Sequence, residues 1–177
     1  MPRRHVWRSR VRAAAIAASL AALTVGCDAM GVTGNGSQDA LTPDESKAQV
    51  IDSAREIVAA LNLDVTRALF WRESCNDQGE APFRGVVSIW YPPAATLEAS
   101  QAEVAEMVER LRSTGWIGAD EFRTHSTAVK KNDVVAVFAP QAVDVPNRGI
   151  DLFGACGDTT TGHATEAQDI TLGRRIP

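Results

Sequence analysis

The chain has 177 residues, with 18 Lys and Arg against 22 Asp and Glu and a formal net charge of −4. The first 26 residues hold five of the 18 cations and no acid, so 13 cations face 22 acids over the remaining 151 residues, a net of −9. That balance argues against nucleic acid and against direct contact with anionic lipid headgroups as partners; 151 residues are enough for one domain with a substantial core.

The chain opens MPRRHVWRSRVR, with Arg3, Arg4, Arg8, Arg10 and Arg12, and no acid precedes Asp28. The apolar run Ala13 to Val25 follows. A basic flank before a short apolar run is the pattern of a secretory signal. The run is about 13 residues long, well short of the roughly 20 that span a bilayer. Its end, LTVGC, places small Gly26 directly before Cys27. That arrangement resembles a bacterial lipobox, in which the cysteine thiol receives a diacylglyceryl group and cleavage makes the cysteine residue one. The position three before the cysteine, usually Leu, is Thr24 here, with Leu23 one place further back. The expected divisions are residues 1–26 as lipoprotein signal, 27–40 as lipidated Cys27 and tether, and 41–177 as a single domain with a polar C-terminal tail. Two acyl chains, with palmitate expected among them, anchor stably where one is marginal. The expected location is the extracytoplasmic face of the cell membrane.

With Cys27 acylated, Cys75 and Cys156 remain as an even pair. Outside the cytoplasm such a pair is expected to be oxidised to a disulfide. Neither lies in a CxxC motif, which argues against redox catalysis.

Asp28 to Ala40, DAMGVTGNGSQDA, is rich in Gly, Asn and Ser and reads as a flexible tether with a reach of about 20 Å. Order begins at LTPDESKAQVIDSAREIVAALN. Thr42 suits an N-cap, Pro43 the first helical position, and Glu45 completes a capping box. Ile51, Ala54, Val58 and Leu61 recur at helical spacing, and Asn62 ends the helix. DVTRALFWRES then reads as a strand, with Val65, Leu69 and Trp71 on one face and Thr66, Ala68, Phe70 and Arg72 on the other. After the turn-rich CNDQGEAP comes FRGVVSIWY, a strand closed by Pro92-Pro93.

TLEASQAEVAEMVERLRST predicts a second helix. Val104, Met107, Val108 and Leu111 form its apolar face, and Gly115 is the expected stop. EFRTHSTAV, DVVAVFAP and GIDLFGAC predict three more strands, the first two joined at Lys130-Lys131-Asn132 as a hairpin. A last short strand is expected around Ile170-Thr171-Leu172. The order α-β-β-α-β-β-β predicts an α+β two-layer sandwich, a largely antiparallel sheet with both helices on one face. Trp71, Trp90 and Tyr91 are the side chains available to cover the other face.

Motifs of chemistry are sparse. Once the signal carrying His5 is removed, His125 and His163 are the two histidines, 38 residues apart with no Cys or His at ligand spacing, so neither a metal site nor a cofactor is expected. GxSxG, SxxK and HExxH are absent. The dense polar stretch SCNDQGEAPFRG places Asn76, Asp77, Gln78, Glu80 and Arg84 around Cys75 and two glycines. Its turn formers suit a plain connection pinned by a disulfide; the sharper reading is a recognition loop held on a rigid sheet.

The lipoprotein signal, the N-terminal helix, CNDQGEAPFRG leading into a strand and the later GACG together resemble the LppA-type lipoproteins of mycobacteria and related actinobacteria. The resemblance implies a surface lipoprotein and carries over no catalytic residue. The expected function is a non-enzymatic, lipid-anchored binding module for an envelope protein or small molecule. The alternative is an envelope hydrolase or modifying enzyme with dispersed catalytic residues.

The lipobox is tested by Cys27→Ala. The variant should lose its lipid and accumulate as uncleaved precursor or leave the membrane. Maturation with continued membrane attachment would refute the anchor.

Overall fold

The computed structural model describes residues 40–143 and 148–173. The signal, Cys27 and all of the tether but Ala40 lie outside the described residues. Helix α1, Pro43–Leu61, is followed by strands β1, Arg67–Ser74, and β2, Phe83–Tyr91. Helix α2, Leu97–Arg112, precedes β3, Ile117–Gly118; β4, Thr127–Lys131; β5, Val134–Ala139; β6, Arg148–Phe153; and β7, Gln168–Asp169. The seven strands form one sheet in the order β3-β4-β5-β6-β2-β1-β7, and every neighbouring pair is antiparallel. Both helices share one core with one face of this sheet, so the fold is the expected α+β sandwich.

Local chemistry sets the helix ends. Thr42 Oγ1 accepts from the Glu45 amide, and the Glu45 carboxylate accepts from the Thr42 amide at 2.8 Å, a complete capping box. Asn62 closes α1 in the left-handed region at φ 52°. Val50, Ala54, Ile57, Val58 and Leu61 from α1, and Val104, Met107, Val108 and Leu111 from α2, face Phe70, Val87, Ile89, Ala136, Phe138, Ile150 and Leu152 from the sheet. Each Val, Leu, Ile, Phe or Met among them contributes roughly 1.5–3 kcal/mol when fully buried.

Polar links then fix the layers. Arg148, buried beneath α2, donates to the Pro92 carbonyl at 2.7 Å, pairs with Glu103 and stacks 4.6 Å from the Tyr91 ring centre. Glu56 on α1 accepts from Trp116 Nε1 at 3.2 Å and from Lys131 Nζ at 2.7 Å.

Several local expectations are corrected. Tyr91 does not cover the outer face: its alternation with Val87 and Ile89 turns it into the core, 3% exposed. The strand expected over Glu121–Val129 begins only at Thr127, because Phe122 leaves the sheet plane to pack on Phe153, ring centres 5.3 Å apart. The hairpin turns at Asn132-Asp133, at φ 48° and 63°, and Lys130 and Lys131 stay in β4. Two successive positive φ angles suit the twist of a two-residue hairpin, and Asn and Asp tolerate them best after Gly. The last strand is Gln168–Asp169; Ile170 and Leu172 pack against the core instead.

α1 approaches the sheet most closely over two glycines. A Cβ on Gly85 would stand 2.7 Å from the Ser46 carbonyl oxygen. One on Gly154 would stand 2.8 Å from Gln49 Oε1 and 2.9 Å from Val50 Cγ1. Ser46 Oγ accepts from the Gly85 amide at 2.9 Å, and Gln49 Oε1 from the Ala155 amide at 2.9 Å. Gly85→Ala should therefore cost about 2–3 kcal/mol in urea unfolding. Gly154→Ala should cost less, because movable side-chain atoms rather than backbone oppose it. Equal costs would show that α1 does not rest on the Gly85 backbone.

Candidate functional site

The face of the sheet away from the helices is laid out by the strand registers. Along one row lie Ala128 on β4, Val137 on β5, Asp151 on β6, Ser88 on β2 and Leu69 on β1. Trp90 and Gly149 flank this row on one side, Val86, Phe153 and Trp71 on the other. A Cβ on Gly149 would meet Trp90 Cδ1 at 3.5 Å, so the indole lies against the glycine. The row is thus largely apolar around Ser88 and Asp151, with Val137 and Ser88 nearly buried and aromatic side chains on either side of it.

Among the described residues, the charges placed on this face by the strand registers pair, apart from Asp151. Arg67 meets Asp169 at 3.1 Å and stacks 5.2 Å from the Trp90 ring centre. Arg84 donates through Nε to Glu73 at 2.9 Å and stacks 4.7 Å from the Phe153 ring centre. Lys130 pairs with Glu121. Asp151 has no cation among the described residues. Its Oδ1 accepts from Ser88 Oγ at 2.7 Å. Burial pushes the Asp151 carboxyl above the ordinary carboxylate range; the Ser88 hydrogen bond opposes this and the nearby Glu73 charge reinforces it.

The polar stretch singled out in the sequence divides into three roles. Asn76 is spent inside the loop: its Oδ1 accepts from the Gln78 and Glu80 amides, and its Nδ2 donates to the Glu80 and Ala81 carbonyls. Asp77, Gln78 and Glu80 are exposed. Arg84 leaves the loop altogether for the sheet face. The structure joins Cys75 and Cys156 by a disulfide with α-carbons 6.0 Å apart. Their strands are not neighbours, since β2 runs between β1 and β6. Between the pairings Val86↔Phe153 and Phe83↔Asp158, β2 advances three residues and the other chain five. The extra length carries Cys156 across to Cys75.

Asp158 completes that corner. Its backbone exchanges hydrogen bonds with Phe83, and the preceding Gly157 carbonyl accepts from the Leu41 amide at 2.8 Å. Its carboxylate accepts from the amides of Thr160 and Thr161 at 2.9 and 3.0 Å and from both hydroxyls. Burial raises the Asp158 pKa, but these donors outweigh it and hold the carboxyl below its ordinary range.

His125 and His163 are both exposed. Among the described residues no group of three His, Cys, Asp or Glu is placed to hold a metal ion, and no helix is long and apolar enough to cross a membrane. A cleft of about 500 Å³ lies between the end of α1 and Leu172, lined by Arg55, Val58, Asn62 and Leu63.

Residues 42–173 match the family model described as "Putative lipoprotein LppJ". The chain belongs to the LppJ lipoprotein family. Relatives named "Putative lipoprotein LppJ" in Mycobacterium tuberculosis and Mycobacterium bovis are 35% identical over 126 residues, 70% of this chain. The match spans 65% of their length, just under two thirds. No solved structure matches significantly. The LppA-type resemblance is thus corrected to LppJ. Within the stretches that suggested it, CNDQGEAPFRG and GACG, Cys75 and Cys156 form the disulfide and Gly85 lies under α1.

Asp151 gives a signed prediction. Its folded pKa is raised, so its contribution to stability is full below the ordinary carboxylate pKa and is lost as pH rises through the raised value. Asp151→Asn keeps an acceptor for Ser88 and removes the buried charge. Thermal unfolding at neutral pH should shift upward by about 2 °C. The gain should vanish at about pH 3, below the usual aspartate pKa. A variant less stable than wild type at neutral pH would contradict the desolvated carboxylate.

Proposed function

We propose that this protein is a lipid-anchored component of the cell envelope, attached through Cys27 on the extracytoplasmic face of the membrane. Its domain acts as a non-enzymatic binding module that presents the outer face of the sheet to a partner in the envelope. One observation supports this reading: the central strand holds a half-buried carboxylate, bonded to Ser88, that has no cation among the described residues, on a face where Arg67, Arg84 and Lys130 are each paired. Membership of a lipoprotein family supports the anchor. Asp77, Gln78 and Glu80 offer a second exposed surface.

A hydrolase reading draws on one feature, the Glu73 charge near Asp151, since paired carboxylates do acid–base work in some hydrolases. Glu73, however, is engaged by Arg84 and by Trp71 Nε1. It is poorly placed to exchange a proton with a substrate.

Site-specific photo-crosslinking from the lipidated chain in native membranes tests the module. A photoreactive side chain at Leu69, on the outer face, should give a discrete adduct. One at exposed Glu106 on α2 should give none. Adducts from position 77 without any from position 69 would move the partner to the loop, and adducts from 106 alone would overturn the reading.

A further inference from the structure

We infer that residues 174–177, Arg-Arg-Ile-Pro, fold back into the cleft at the C-terminal end of α1, with the two arginines at its negative rim and Ile176 on its apolar wall. The segment follows Gly173 directly and lies outside the described residues. Gly173 itself lines the cleft, and a Cβ on it would stand 3.8 Å from Val58 Cγ1. The chain therefore leaves the described domain already against α1. Four residues reach at most about 14 Å, enough to enter a cleft of about 500 Å³ from its edge.

Charge complementarity selects this occupant. A helix ends in partial negative charge, best met by a cation in its last turn. α1 has no basic residue there. The amides of Asn62 and Leu63 meet the carbonyls of Ala59 and Val58 but bring no charge. Asp64, exposed on the same cleft, adds a full negative charge and has no cation among the described residues. Arg55, the cation of the described lining, is held by Asp52 at 2.9 Å on the same helix. The rim is thus short of positive charge, and Arg174 and Arg175 supply it. Exposed Ala59 and half-buried Leu63 offer apolar surface to Ile176 and to the arginine stems. A segment joined at Gly173 is present there at an effective concentration on the order of millimolar, which an untethered ligand must outcompete. Docking also pins the stretch that carries β7. That strand is two residues long, and the Ile170 amide beyond it donates to the Ala68 carbonyl at 2.9 Å. Held from its far end, β7 keeps Asp169 on Arg67 and covers the edge of β1.

A photoreactive side chain at position 176 of the lipidated chain in native membranes tests this. It should crosslink within its own chain, to the peptide that runs from Val58 to Asp64. Adducts to a second copy, to another protein or to another part of the chain would overturn the inference, and so would the absence of any adduct. Hydrogen exchange of the Ile170 amide in the same chain gives the energetic readout. The double variant Arg174→Gln, Arg175→Gln should quicken it about two- to fivefold, the range of an exposed ion pair. Asp64→Asn should do the same, and its exposed position keeps the fold intact. Combining all three substitutions should add little to either alone, because each removes the same pairing. Ile176→Ala should quicken exchange as well. Exchange at the wild-type rate in both charge variants, or effects that simply multiply when combined, would show that the arginines do not meet Asp64 and would overturn the inference. Crosslinks from position 69 report the outer sheet face alone, so the two readings fail separately.

Discussion

The structure depends on how closely α1 can lie on the sheet. Gly85 and Gly154 remove the two β-carbons that would hold the helix off, and Ser46 and Gln49 use the space to bond the backbone beneath. A side-chain hydroxyl and a side-chain amide thereby satisfy amides of β2 and of the chain leaving β6. This contact makes α1 a fixed reference for the two central strands, and those strands carry Ser88 and Asp151. A shift of α1 would therefore be felt in the register of the outer face, although no residue of the helix reaches it.

The stapled corner secures the same region from the end of the sheet. Three stretches far apart in sequence meet there: Leu41 before α1, Phe83 at the start of β2 and Asp158 after β6. The disulfide adds Cys75 and closes 81 residues of chain. In the chain-entropy account, a loop of that size lowers the unfolded state's freedom by about 4.5 kcal/mol at most. That is comparable with the lower end of a domain's total stability, roughly 5–15 kcal/mol. The staple acts across β2, so it resists separation of β1 from β6 as well as fraying of their ends.

Much of this was legible where one local rule decides the outcome. The capping box at Thr42 and Glu45, the end of α1 at Asn62 and the apolar stripe of α2 follow from helix chemistry alone, and the structure shows each. Long-range geometry was harder. Cys75 and Cys156 could be paired by parity, but their strands are separated by β2 rather than adjacent. Phe122 looked like a strand residue because its neighbours alternate, yet a contact with Phe153 drew it out of the sheet. Arg84 belonged by position to the polar loop and by register to the face opposite Glu73. Asp151 gave one signal, an acid within GIDLF, which fixes its face opposite to Ile150 and Leu152. Nothing in the sequence told that its neighbours across the sheet would be Ser88 and Val137, and the site exists only through that pairing.

Two aspartates separate structural from functional burial in this molecule. Asp158 loses its hydration and receives four donors in return, from Thr160 and Thr161, so its charged form is favoured in the folded state. Asp151 loses much of its hydration and receives one donor, so its charged form is disfavoured. The first arrangement completes itself and holds a turn. The second leaves a carboxylate that burial desolvates with one side-chain donor, at a cost to the charged folded state. A protein surface can satisfy a carboxylate cheaply with a nearby arginine, and this sheet face does so twice, at Glu73 and Asp169. Asp151 sits on the central strand, where its neighbours across the sheet are Ser88 and Val137 and both arginines are engaged by other carboxylates. The same register that builds the sheet therefore preserves the unmet charge.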